Sequence, residues 1–199
     1  MLSPRIRRLK LDHESLKQRF AEWPVIRIVG TAGMPPEIYR FQYSLKGLYV
    51  AADGSILERN EHVLEVNLTL GYPRRAPQCR MLTPVFHPNF DDASVCIGDF
   101  WAASESLDDL IIRIGRMIAY QEYNTKSPLN GLAAKWAAQN TQLLPVDAQP
   151  VAPPLSEDVP TATPITTASP EPATTAPRVA ISDSPSDQWD PWAGKIVIS

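Results

Sequence analysis

Two stretches of strict alternation constrain the fold more than any other feature of this chain. Tyr39, Phe41, Tyr43 and Leu45 alternate with Arg40, Gln42, Ser44 and Lys46, and Leu64, Val66, Leu68 and Leu70 alternate with Glu65, Asn67 and Thr69. A period of two gives each strand one buried and one wet face, which requires an antiparallel sheet covered on its apolar side only. Val25 to Val29 is a further short β-branched run, and Gln78 to Leu82 predicts a fourth strand. Turn signals separate the strands at Gly33-Met34-Pro35-Pro36 and Asp53-Gly54, and the two prolines of Tyr72-Pro73-Arg74-Arg75-Ala76-Pro77 hold an extended loop. The cover comes from helical segments on either side of the meander. Ser3-Pro4 is a capping hydroxyl followed by proline at the first helical position, and Ile6, Leu9, His13, Leu16, Phe20 and Trp23 then recur at threes and fours. Ser106 with Asp109 resembles a capping box, and Leu107, Leu110, Ile111, Ile114, Met117 and Ile118 form the stripe of a well-buried helix. Ser127-Pro128 predicts the start of a last helix, with Leu129, Leu132, Ala133, Trp136 and Ala137 on one side. Helix, four-stranded meander, loop, helix, helix is an α+β arrangement.

Composition divides the chain. Eleven of its 20 prolines lie between Pro145 and Pro191, among Ala, Thr and Ser, and such a stretch cannot bury enough apolar surface to offset its chain entropy. The expected organisation is a folded body over residues 1–140 and a disordered tail over 141–199. The tail carries seven acids against two bases, leaving a weak excess of seventeen bases over fifteen acids on the body, far from a nucleic-acid footprint. Cys79 and Cys96 are too few for a disulfide framework or a zinc site and suit a reducing compartment. No apolar run approaches signal-peptide or membrane-spanning length, so the expected setting is cytoplasmic, without membrane, metal or cofactor.

The stretch with chemistry in it is His87 to Trp101, HPNFDDASVCIGDFW. It offers one thiol, Cys96, and one side-chain amide, Asn89, with no second cysteine or histidine near the thiol, a set that suits acyl-thioester chemistry better than metal binding or proteolysis. A free cysteine is also a common inert core residue, the reading that fits Cys79 on its alternating strand. Asn89 could equally cap its own turn, and Ser127 a helix.

These residues together resemble the ubiquitin-conjugating enzymes over most of residues 3–140. The resemblance rests on the basic first helix, the meander, Tyr72-Pro73 with Ala76-Pro77, His87-Pro88-Asn89, Cys96, Trp101, and Ser127-Pro128-Leu129 leading into an alanine-containing helix. It implies a UBC-like fold and a reaction. The Cys96 thiolate takes the C-terminal acyl group of ubiquitin or a ubiquitin-like protein from an activating enzyme, and an acceptor amine then attacks the thioester. Exchange between thioesters is nearly isoenergetic, so no dedicated base is needed, and an ordinary thiol of pKa about 8.5 supplies enough thiolate. The resemblance further gives Asn89 to the oxyanion of aminolysis, Ser127 to the gate on the lysine's approach, and His87, Pro88 and Trp101 to the structure of the site. Many members carry an acid two residues after the cysteine. Here that position is Gly98, and Asp99 is the nearest replacement.

The implied partners are an activating enzyme and the modifier, with a ligase or a deubiquitinase-like peptidase as further candidates. Arg5, Arg7 and Arg8 are either a docking face or a solvated helix surface, and Tyr120, Tyr123 and Asn124 complete the loop facing the cysteine. Trp189 and Trp192, in the terminal segment of the tail, suggest a short docking motif. Arg74 replaces the aromatic that many members offer to ligases, the Asn89-to-Cys96 spacing is one residue short, and the body is compact. These departures look like bacterial members of the family, whose setting is antiviral defence. The alternative is a catalytically inactive module that keeps the fold to bind or scaffold a ubiquitin-like protein.

Overall fold

The computed structural model describes residues 3–97 and 101–154. Helix α1 (Pro4–Phe20) starts where the sequence places it, with the Ser3 hydroxyl accepting the Ile6 N–H at 3.2 Å. It buries Leu9, Asp12, Leu16 and Phe20. Strands β1 (Ile26–Gly33), β2 (Pro36–Val50), β3 (Ile56–Asn67) and β4 (Gln78–Met81) follow as an antiparallel meander in the order β1-β2-β3-β4. Cross-strand register matches the alternation: Tyr39 pairs with Val66 and Phe41 with Leu64 on the inner face, while Arg40, Glu65 and Arg80 line up on the outer face. There Glu65 accepts from Arg40 Nε at 3.0 Å and Arg80 Nη2 at 2.7 Å. Such exposed ion pairs add little stability but keep that face wet.

Helix α2 (Leu107–Ile118) crosses the inner face, capped by Ser106 accepting from Asp109 N at 3.3 Å. Its apolar stripe is buried throughout, and Tyr43, wholly inside, donates its hydroxyl to the Ile111 carbonyl at 2.9 Å. Helix α3 (Gly131–Gln139) buries Ala133 and Ala137 in a second small cluster with Leu48, Phe86 and Tyr120.

The body does not end at residue 140. After a single 3-10 turn (Thr141–Leu143) the chain runs back across the domain as a strap, and Val151 is only 2 % exposed. Composition gave the wrong boundary because the strap needs little apolar surface of its own; partners on the body satisfy its backbone and polar groups. Trp23 donates its indole N–H to the Val151 carbonyl at 2.9 Å, Gln121 donates its amide to the carbonyls of Asp147 and Gln149, and the Asp147 carboxylate accepts from Lys46 N at 2.8 Å. Val151 fills the space over Gly115, where an added Cβ would stand 2.6 Å from the valine and 3.0 Å from Tyr43. The sequence from 155 on, with Trp189 and Trp192, lies outside the described residues.

Two histidines are fully buried, His62 beside Arg59 and His87 in the loop after β4. Burial pushes His62 from 6.5 to about 4 and His87 to about 3. Because the folded state disfavours their protonation while the unfolded chain accepts it, their contribution is complete above pH 6.5 and is lost as pH falls. Urea unfolding at pH 7, 6 and 5 is expected to show stability falling by up to about 1.4 kcal/mol per pH unit for each histidine. His62→Gln should remove its share of that slope.

Candidate active site

The site is built on a small hairpin in the loop after β4. Phe90 and Val95 form an antiparallel bridge, and Asp91 closes the turn, its carboxylate accepting from the N–H groups of Ala93 at 2.8 Å and Ser94 at 2.6 Å. Those bonds hold the Asp91 carboxyl below its usual range. One step out, Cys96 N–H donates to the Asn89 carbonyl at 2.8 Å, so Asn89 and Cys96 face each other across the turn. Opposed residues of an antiparallel pair project to the same side. The Asp91 turn thus brings Asn89 and Cys96 opposite one another in the hairpin. The hairpin is joined to the sheet by Val95 N–H donating to the Cys79 carbonyl at 2.9 Å.

Residues 120–130 clasp the tripeptide behind it. His87 Nε2 donates to the Glu122 carbonyl at 3.2 Å while Nδ1 accepts from Asn89 N at 3.1 Å. That pair of bonds fixes a neutral ring with neither nitrogen free to act as a base. The Pro88 carbonyl accepts from Leu129 N at 2.8 Å and Asn130 N at 3.0 Å. Asn89, 6 % exposed, accepts the Asn124 N–H on its side-chain oxygen at 2.9 Å. With Oδ1 held by a backbone donor, Nδ2 is the end of the amide left to donate. Tyr120 supports the clasp from below, its ring 4.5 Å from that of His87 and its hydroxyl donating to the Phe86 carbonyl at 2.7 Å. Its backbone is left-handed, with φ 57°, which turns the chain out of α2.

Several expected roles change. Ser127 is exposed and does not cap a helix; α3 starts four residues later, on the Asn130 side chain, which accepts from Ala133 N at 3.0 Å. Asparagine serves as well as serine there, and the Leu129 and Asn130 N–H groups are turned to Pro88 instead. Ser127 thereby lies two residues from the clasp. Arg5 and Arg8 do not form a free docking face with Arg7. Arg5 pairs with Glu37 at 2.8 Å and donates to the Leu68 carbonyl, and Arg8 grips Asp12, lies over the Tyr72 ring and donates to the carbonyls of Ala103 and Glu105. Only Arg7 of the three is exposed. Trp101 donates its indole N–H to the Pro73 carbonyl at 2.7 Å and packs on Tyr72, tying the site to the Tyr-Pro loop. Gly98 and Asp99 lie outside the described residues.

Arg113 is a residue that sequence reasoning missed. It donates to the Ile97 carbonyl at 2.8 Å, immediately after Cys96. Its one signal was a cation inside the apolar run LIIRIG.

The residues at 34–147 match the sequence model of the ubiquitin-conjugating enzyme family. The chain belongs to the ubiquitin-conjugating enzyme family. The matched span passes residue 140 and takes in the first part of the strap. Among solved structures, a Trypanosoma cruzi chain described as a ubiquitin-conjugating enzyme is 20 % identical, with 71 % of this chain and 93 % of that chain covered at a TM-score of 0.50. Ubc12 of S. cerevisiae is 23 % identical, with 70 % and 74 % covered at a TM-score of 0.52. A third, described as a novel ubiquitin-conjugating enzyme, is 17 % identical, with 69 % and 87 % covered at 0.51. At these identities the likeness establishes the UBC-like fold: a first helix, a four-stranded antiparallel sheet, then helices. Among the described residues no group of His, Cys, Asp and Glu could hold a metal ion, and no helix is long and apolar enough to cross a membrane.

The two cysteines differ in kind. Cys79 is 5 % exposed, and burial pushes its thiol up to about 12, whereas Cys96 is half-buried on the hairpin. Iodoacetamide at pH 8 should therefore add one group to the native protein, on Cys96, and a second on Cys79 only after unfolding, as read by peptide mass.

Proposed function

We propose that the chain is an active conjugating enzyme: Cys96 accepts ubiquitin or a ubiquitin-like protein as a thioester from an activating enzyme and passes it to an acceptor amine. The observation that carries this reading is the opposition of Asn89 and Cys96, with the Asn89 oxygen held by Asn124 N–H. A thiolate at Cys96 attacks the incoming thioester carbonyl and expels the activating enzyme's cysteine. The acceptor amine then adds to the Cys96 thioester, oxygen takes the charge, and the Asn89 amide N–H donates to it. A single donor of this type is worth about 3 kcal/mol where it has been removed from other oxyanion sites. Collapse breaks the carbon–sulfur bond, returns the thiolate and leaves an amide.

The other roles are assigned on residue type and position in the sequence. Ser127, exposed beside the clasp, borders the lysine's approach, and Asp99 is the acid next in sequence to the cysteine. Arg7 is the member of the basic trio available to the activating enzyme, and Trp189 and Trp192 are a docking motif for a further partner, a ligase or a deubiquitinase-like peptidase. We take the folded unit to extend beyond residue 140 to include the strap through Val151, with the Pro/Ala/Thr-rich sequence following it. A bacterial placement with a role in antiviral defence in the cytoplasm rests on Gly98, Arg74 and the shortened hairpin alone. Its check is a gene for an activating enzyme beside this one.

Incubation with an activating enzyme, ATP and modifier is expected to give an adduct that dithiothreitol removes, present with Cys79→Ala and absent with Cys96→Ala. Binding of the modifier without any adduct in the unaltered chain would instead establish the scaffold reading.

A further inference from the structure

Arg113 stands in α2 among Ile111, Ile112 and Ile114, all buried, yet its own side chain is a cation with 29 % of its surface exposed. Its Nη2 donates to the Ile97 carbonyl at 2.8 Å and lies 3.2 Å from Glu105 Oε1. Its Nε is buried with no hydrogen-bond partner among the described residues. A desolvated donor with no partner among the described residues, in a row of isoleucines, is not what stability selects, since an apolar side chain of similar volume would do as well or better. What the guanidinium supplies is a donor aimed at one carbonyl. That carbonyl closes the residue after Cys96, while Cys96 N–H is held by Asn89 on the other side.

We propose that Arg113 is a positioning residue for the Cys96 thioester: it fixes the backbone on the C-terminal side of the cysteine, as the Asn89 carbonyl fixes it on the N-terminal side. Glu105 orients the guanidinium, and Glu105 is itself held through its backbone carbonyl by Arg8, which is locked to Asp12 in α1. The role rests on the conjugating reading, because it is the aminolysis of a Cys96 thioester that it serves. An acyl group displaced by even about 1 Å from its oxyanion donor and its amine loses up to about a hundredfold in rate.

The test uses the full chain carrying Cys79→Ala. Acetylthiocholine, a small thioester, charges Cys96: the thiolate attacks the carbonyl, the carbon–sulfur bond to thiocholine breaks, and thiocholine leaves as its thiolate. Free lysine then discharges the acetyl-enzyme; a carbon–nitrogen bond forms, the Cys96 sulfur departs as thiolate, and the amine's proton passes to water. Mass spectrometry follows the loss of the acetyl group, with melting temperature measured alongside. In Arg113→Met the second-order rate of discharge should fall by roughly tenfold or more, with the melting temperature equal to the parent's or higher. Arg113→Lys should keep part of the rate, and Glu105→Gln, which leaves the packing intact, should lie between. An unchanged rate in Arg113→Met overturns the proposal. So does a slowed discharge accompanied by a lowered melting temperature that Arg113→Lys does not restore. Acetyl-Cys96 forms without an activating enzyme, so failure here is distinct from failure of the conjugating reading, which shows as no ATP-dependent adduct.

Discussion

The His87-Pro88-Asn89 tripeptide is buried, and each of its residues is hydrogen-bonded to the chain that follows α2. His87 reaches Glu122, Pro88 reaches Leu129 and Asn130, and Asn89 reaches Asn124. These bonds hold the loop segment that pairs with Cys96, and the Asn89 amide is itself one of the groups they fix. A loop this far inside must have its polar backbone satisfied, and the clasp does so while fixing which end of the Asn89 amide is free. The aromatic cluster of Phe86, Tyr120 and Trp136 forms the floor, with Tyr120 contacting both His87 and Trp136. Rigidity at the site is therefore a property of two segments far apart in sequence, joined by a handful of directional bonds rather than by a large apolar interface.

Beyond the clasp, charged side chains link the first helix to the cysteine. Asp12 accepts from both Arg8 and Tyr72; Arg8 reaches Glu105; Glu105 pairs with Arg113; and Arg113 ends on Ile97. Trp101 makes a parallel tie from the site to Pro73. Arginine suits such a chain because its planar fork can serve a carboxylate and a carbonyl at once. The strap packs over α2, with Val151 against Gly115 and Trp23 on its carbonyl.

Much of the fold was legible because it is written in periodicity. The inner face of the sheet and the buried stripe of α2 follow directly from spacings of two and of three to four, and the caps at Ser3 and Ser106 are local signals. The first half of β3, Ile56 to Glu61, was not legible, since its half-buried positions, Ile56 and Arg59, are three residues apart and leave no alternation to read. Leu70 misled in the other sense: it continues the alternation but is 87 % exposed, because the strand ends at Asn67 and the chain turns away. At the site, Cys96, Asn89 and His87 were visible through motif and residue type. The Asp91 turn, the Asn130 cap and above all Arg113 were not. Their effect lies in which carbonyl or N–H they meet, and that is fixed by tertiary packing. The strap failed to register for the same reason, its order coming from Trp23, Lys46 and Gln121, all distant in sequence.

Asn89 both ties the loop and points a donor, and these two roles can be parted. Aspartate at this position can still accept from Asn124 N–H but has no N–H to offer an oxyanion, whereas alanine loses both. The most direct measurement is single-turnover discharge of the Cys96 thioester to lysine in Asn89→Asp and Asn89→Ala, with thermal melting of each. The structure predicts that Asn89→Asp melts close to the unaltered protein yet discharges roughly a hundredfold more slowly, while Asn89→Ala is impaired in both. Discharge by Asn89→Asp at the unaltered rate would contradict the account, leaving Asn89 as a loop tie and nothing more.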